Sequence, residues 1–246
     1  MRVRRVYIKK AGGEIASEAC YTAWRGFSHL GYQLDFFEWD DLVAKCLPLD
    51  RATLLVGGTV AVHKALKQIG VEPPRPLNIP SSLTRFAGRD IGESNLEAVR
   101  RDFESGRASP LFIKPLVQTK TLTGRVIERK ADLDALSHLE SDLLLQTASL
   151  IDFVSEWRLY VHRNAVVGIA HYKGDWSLVP TPEIVGQAIS AYEHCPVAYS
   201  LDFGISREGK TLLVEANDAF ALGAHGIDAV AYAKMLEDRW IEITGG

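Results

Sequence analysis

Two carboxylates near the C-terminal end carry the strongest chemical signal in the chain. Asp202, in Tyr199-Ser-Leu-Asp-Phe203, and Glu215, in Leu213-Val-Glu-Ala-Asn217, lie on two apolar runs separated by Glu208-Gly209. A two-residue hairpin turn at that dipeptide sets Asp202 directly opposite Glu215, with Asn217 on the same face. Acidic pairs with no local basic partner repel across a sheet, so something must neutralise them. Hard oxygen donors at this spacing suit Mg²⁺, which one or two carboxylates hold while phosphates and water complete its octahedron. The alternative is a register one residue away, which turns Asp202 to solvent.

A second constellation surrounds Arg163-Asn164, also a hairpin signal. A turn there gives one strand face to Glu156, Arg158, Tyr160, His162, His171 and Lys173, and the other to Trp157, Leu159 and Val161. The first face is polar and the second belongs to a core. A polar strand face is commonly just solvated, but an arginine fork and a lysine point charge beside Glu156 also suit a triphosphate and its ribose. Lys114 sits in an otherwise apolar run, Pro110-Leu-Phe-Ile-Lys-Pro115. A lysine there either snorkels from a sheet edge or has a partner. The loop after it, residues 118–124, has small and hydroxyl side chains that let backbone amides approach a phosphate. It lacks the GxxxxGK[ST] of a Walker loop, and Gly57-Gly58-Thr59 lacks the Rossmann GxGxxG.

Positioning these groups takes three lobes. Residues 3–8, 32–39 and 53–56 are expected as strands, with helices over 14–30 and 60–69, and such βαβαβ connections require a parallel sheet. Prolines at 73, 74, 76 and 80 mark a boundary, since closely spaced prolines enter neither helix nor central strand. The spacing then gives a helix over 95–104, strands over 111–115 and 125–129, a helix over 133–139 and a strand over 143–147. The two hairpins follow, with helices over 184–192 and 229–238. The expected domains are 1–78, a small N-terminal α/β unit; 79–150, a small α+β lobe; and 151–246, a second α+β lobe.

The 246 residues include 28 Lys and Arg against 31 Asp and Glu, a net charge of −3, which argues against a nucleic-acid partner. The composition, 47% apolar and 24% charged, is that of a globular protein. Three unpaired, widely spaced cysteines, no secretory leader pattern and no membrane-length apolar run lead to the expectation of a cytoplasmic protein without membrane contact.

Taken in order, Lys114 in Phe112-Ile-Lys-Pro115, Leu143-Leu-Leu-Gln146, Glu156-Trp-Arg158, Asp202 and Glu215-Ala-Asn217 resemble the ATP-grasp superfamily, over about residues 80–226, in a divergent clade rich in Arg and Lys. The resemblance implies an ATP-grasp fold, two α+β lobes clamping ATP after a small α/β domain. It implies ATP binding by Arg89, Lys114, Gln146, Thr147, Leu150 and Glu156, with Arg89 (or Arg85) standing where many members carry a first lysine. It also implies one or two Mg²⁺ ions on Asp202, Glu215 and Asn217. Arg158 and Lys173 are assigned to the charge of the transferring phosphoryl group, and Asp218 and His225 to the acceptor side. The family reaction is ATP-dependent ligation: a substrate carboxylate forms an acyl phosphate, and an amine or other nucleophile, from a small molecule, peptide or protein, displaces phosphate. The alternatives are a non-catalytic ATP or ADP module and a kinase that releases a phosphorylated product.

Overall fold

Short apolar strands joined through helices build the N-terminal unit. In chain order these are β1 (Arg5–Ala11), β2 (Glu14–Ile15), α1 (Glu18–His29), β3 (Gln33–Phe37), α2 (Trp39–Val43), β4 (Thr53–Val56) and α3 (Thr59–Gln68). β3, β1 and β4 run parallel in that spatial order, as the βαβαβ pattern requires. The computed structural model describes residues 2–117 and 122–245. One expectation changes here. Gly12 and Gly13, both at positive φ, fold β1 back onto β2, so residues 14 and 15 pair as strand and not as helix. The helix waits for Ser17, whose hydroxyl accepts from the Cys20 amide as an N-cap.

The small lobe follows, with β5 (Ile91–Asn95), α4 (Leu96–Glu104), β6 (Leu111–Pro115), β7 (Arg125–Ile127), α5 (Lys130–Asp134) and β8 (Leu144–Ser149). Its antiparallel order is β5-β8-β6-β7, and Leu96, Ile113, Ile127, Leu133 and Leu145 form a core of its own. Asn95 ends β5 and caps α4, accepting from the Ala98 amide at 2.8 Å. The helix expected over 133–139 is instead one turn at Lys130–Asp134. Most of the phosphate-approach loop assigned to 118–124 lies outside the described residues.

The last lobe comprises β9 (Phe153–His162), β10 (Ala165–Gly174), α6 (Pro182–Ala191), β11 (Ala198–Ser206), β12 (Thr211–Asp218) and α7 (Ala229–Ile243). In its antiparallel sheet, β10-β9-β11-β12, the central strand β11 is buried along its whole length while the edge strand β10 is largely exposed. Leu159, Val161, Tyr199, Leu201 and Phe203 meet α6 and the 3₁₀ turn Ser81–Phe86. Tyr160 and Ala198 instead join the core of the N-terminal unit, with Phe27 of α1 and Tyr232 and Trp240 of α7. Two features depart from the sequence reading. The 3₁₀ turn with Leu83 and Phe86, assigned to the small lobe, packs on the last lobe, and the first and last units share one core.

The α1–α7 contact behind that shared core is close. A Cβ on Gly26 would lie 1.9 Å from the Ala229 carbonyl oxygen, a backbone atom that cannot step aside. Gly26→Ala is therefore expected to cost at least about 1–3 kcal/mol as overpacking, read from the urea midpoint. Gly186→Ala, inside α6 where a Cβ meets nothing, should instead gain about 0.5–1 kcal/mol from helix propensity. Equal effects at the two sites would contradict the packing.

Candidate functional site

Strand register brings the acidic pair together, by a route that differs from the one the sequence suggests. The Ser206 amide donates to the Lys210 carbonyl at 2.9 Å just beyond the strand ends, so the β11–β12 connection closes over three residues, Arg207 to Gly209, with Gly209 at positive φ, a common G1-bulge connection. This alone would shift the pairing by one. A bulge at Val214 restores it, so Asp202 pairs with Glu215 and Ser200 with Asn217. Arg89 holds the bulge: its guanidinium donates to the carbonyls of Leu213 at 2.9 Å and Val214 at 2.8 Å. Bulges place side chains where a regular ladder would not.

The two carboxylates are not left to repel. On its other side Asp202 pairs with Arg158 of β9, which donates from Nε at 2.8 Å and Nη2 at 2.6 Å. Lys114 of β6 reaches across from the small lobe to Glu215 at 3.1 Å. The Asn217 amide lies 3.0 Å from Glu215 and 3.3 Å from Asp202. The basic partners come from other strands, which corrects the expectation that the pair lacks them. Burial alone would push the Glu215 carboxyl up, but Lys114, the Asn217 amide and Arg158 outweigh it and leave the group below its ordinary value. Burial also opposes the Arg158 charge, and the bidentate bond to Asp202 more than offsets it, raising the guanidinium above its usual value.

Two bulges also redraw the β9–β10 hairpin. The turn forms at Arg163-Asn164, both at positive φ. Register shifts then leave Val167 and Tyr172 unpaired on β10. His171 consequently lies against Trp157, ring centroids 4.9 Å apart, and not on the Glu156 face where the regular register put it. Tyr172 takes that side. Its hydroxyl donates to Glu156 at 3.0 Å, Lys173 pairs with the same carboxylate, and the Arg158 guanidinium lies 5.9 Å from the Tyr172 ring. Burial, reinforced by Asp202 and Glu156, keeps Tyr172 a neutral phenol. Sequence reasoning missed this residue as a bonded member of the site, because only a bulge turns it inward.

A cavity of about 380 Å³ lies between the small and last lobes. Arg89, Lys114, Gln146, Leu150, Glu156 and Lys173 all line it, with Glu215 at its floor. Its other walls are apolar, from Ile79, Phe112, Ala148 and Phe153. Arg89 is pinned to main-chain carbonyls, so its charge is fixed in place; burial pulls its pKa down and Glu215 opposes that. Thr147 departs from its neighbours. Alternation on β8 turns its side chain to a groove on the opposite face, with Glu93, Asp102 and Arg107.

A second cavity, about 290 Å³, shares Lys114 and Glu215 with the first and extends toward the N-terminal unit. Arg158, Asn217, Phe220 and the linker residues Pro74 and Pro76 line it. Tyr160 and Tyr232 fix its wall from behind, their hydroxyls bonded to the carbonyls of residues 222–224. Asp218 reaches this wall, but Arg239 holds both its oxygens, at 2.8 and 2.6 Å. His225 is exposed and stacks on Tyr172 at 5.8 Å, outside the lining of both cavities. Among the described residues no cluster of three or more His, Cys, Asp or Glu converges as a metal site, and no helix is long and apolar enough to cross a membrane. The three cysteines are free.

No curated protein matches this chain in sequence. Solved structures match it in fold. The D-alanine–D-alanine ligase of Bacillus anthracis complexed with ATP aligns with a TM-score of 0.59 at 15% identity, over 100% of this chain and 99% of that one. D-cycloserine synthetase DcsG gives 0.61 at 10% identity, over 96% and 99%. A RimK domain protein ATP-grasp from Sphaerobacter thermophilus gives 0.57 at 16%, over 95% and 99%. At these identities the likeness concerns the fold. The family model for the ATP-grasp domain, R2K clade family 2, matches residues 86–235, more than half of the chain and all the residues that bound the interlobe cavity except Ile79. The chain belongs to that family.

Proposed function

We propose that this protein is an ATP-dependent ligase that activates a carboxylate as an acyl phosphate and transfers it to an amine or another nucleophile. The observation that carries this reading is the interlobe cavity, where an apolar slot passes into a cluster of lysine, arginine and carboxylate groups. The slot between Ile79, Phe112, Ala148 and Phe153 suits an adenine, with the Gln146 amide and the main chain at Leu150 on its edge. Glu156, oriented by Tyr172 and Lys173, suits the ribose hydroxyls. Lys114 and the fixed charge of Arg89 suit the phosphates.

Glu215 and Asn217 offer a carboxylate and an amide oxygen beside those phosphates, a donor set that Mg²⁺ accepts. When bound, Mg²⁺ would neutralise phosphate charge. The chain's own residues do the rest. Lys114 must exchange Glu215 for phosphate oxygens, while Arg158 and Lys173 face the transferring phosphoryl group from its two sides. We assign the carboxylate substrate to the second cavity, where the Nη1 of Arg158 is not used by Asp202. Its carboxylate oxygen attacks the γ-phosphorus as ADP leaves. The nucleophile then attacks the acyl carbon, and inorganic phosphate departs.

Incubation with ATP, Mg²⁺, hydroxylamine and a panel of carboxylic acids and peptides checks this. The expected result is a hydroxamate and ADP in equal amounts. A stable phosphorylated acid would show a kinase, and ATP binding with neither product would show a nucleotide-binding module.

A further inference from the structure

The resemblance to the ATP-grasp superfamily treats Asp202 as a ligand of the divalent ion, and the side chain's surroundings argue otherwise. Both its oxygens already accept charge-assisted bonds from Arg158, the Asn217 amide approaches one of them, and 2% of the side chain is exposed. Neither cavity is lined by Asp202, whereas Glu215 lines both. Resting on the nucleotide reading above, we infer that Asp202 is a positioning residue for Arg158, and that Glu215 and Asn217 hold the ion without it.

Three further observations support this. Arg158 and Asp202 are direct partners in the β9–β11 ladder, so the pairing is set by the strands themselves. Arg158 is only 13% exposed, so taking Asp202 away to coordinate an ion would strand a buried guanidinium, a strongly unfavourable exchange. The pair also spends the Nε and Nη2 of Arg158 on Asp202 while the residue lines the second cavity. A planar fork fixed on one edge and presented on the other is how a guanidinium is preorganised for a carboxylate or phosphoryl oxygen. Mg²⁺ needs no second carboxylate here, since it is commonly held by one carboxylate with substrate phosphates and water.

Mn²⁺ is a direct probe. Free Mn²⁺ is followed by electron paramagnetic resonance as it is titrated into the full-length protein with a saturating non-hydrolysable ATP analogue. Asp202→Asn should leave the number of bound ions unchanged and the half-saturating Mn²⁺ within about twofold of the native protein, whereas Glu215→Gln should raise it more than about tenfold. Because Asp202→Asn leaves Arg158 unpaired and can fail to fold, the double variant Arg158→Met with Asp202→Asn, which removes both charges, is titrated alongside and should match the native ion count. In turnover, Asp202→Asn, Arg158→Met and the double variant should lose kcat to the same degree with KM for ATP unchanged, as residues acting as one unit do. An ion lost in either Asp202 variant, or Mn²⁺ dependence equal to that of Glu215→Gln, overturns the inference and leaves the nucleotide reading standing. Failure of the native protein to take up Mn²⁺ with nucleotide overturns both.

Discussion

Arg158→Met is expected to unfold at a much lower urea concentration than the native protein, a loss of about 3–5 kcal/mol, because it leaves a buried carboxylate with no counter-ion. Asp202 has almost no solvent contact and spends both oxygens on that one guanidinium. The loss should shrink as pH falls, since an unpaired buried carboxyl relieves itself by taking up a proton. Replacing both partners at once, with Arg158→Met and Asp202→Leu, should recover most of the stability, because the cost lies in the stranded charge and not in the missing pair. An equal loss in the single and double variants would show that the pair contributes through its shape and not its charge.

Lys114→Met is expected to weaken nucleotide binding by about 10- to 100-fold, the value of about 1.5–3 kcal/mol for a hydrogen bond to a charged group. Titration calorimetry with ATP analogues reads this directly, and unchanged affinity would remove Lys114 from the phosphate site. The same substitution alters the acid limb of stability. In the native protein Glu215 has a folded-state value below its ordinary 4.5, so it binds fewer protons folded than unfolded between those two values. Its contribution is therefore fully present above about pH 4.5 and is lost as pH falls through the folded value. Burial pushes the same group the other way, and without Lys114 less opposes it. Urea stability of Lys114→Met, lower at neutral pH, should therefore fall less steeply than that of the native protein as pH drops below about 4.5, because Glu215 has less ionised-state stabilisation left to lose. Superimposable acid limbs would contradict the ion pair.

Much of this geometry is legible in the sequence, and the exceptions share a cause. Thr53 to Val56, four buried residues before two glycines, could hardly be anything but a parallel strand, and it is one. The Arg163-Asn164 turn forms as expected, with both residues in left-handed backbone, a conformation that Asn164 tolerates readily. A two-residue turn predicts the facing of Asp202 and Glu215, and the structure achieves the same facing with a longer loop. The extra loop residue and the bulge at Val214 cancel, and the bulge is held by Arg89, more than a hundred residues away. Nothing local encodes that. The faces of Tyr172 and His171 depend on two bulges, of which only the first carries a local mark, Gly168 within the strand; the second, at Tyr172, has none. β5 has no sequence signature, since Gly92-Glu-Ser-Asn95 lacks apolar alternation, and it is a strand because β8 pairs with it. Thr147 was assigned with Gln146, although consecutive strand residues cannot face the same cleft. The partners of the acidic pair, Arg158 and Lys114, arrive from separate strands, which is a property of packing and not of spacing.

The small lobe leaves the rest of the molecule and returns to it at a single doorway. The main chain of Ser149 donates to Asp90 at 3.1 Å, and the Asp90 amide donates back to the Ser149 hydroxyl. Among the described residues between these two positions, Leu96, Ile113, Leu145 and their neighbours form a separate core, while the segments before and after are knitted into shared ones. Residues 92–148 therefore form an insertion whose ends already touch. A graft could exchange this hatch between relatives, replacing the roof of the interlobe cavity while leaving the platform with Arg158, Asp202 and Asn217 intact.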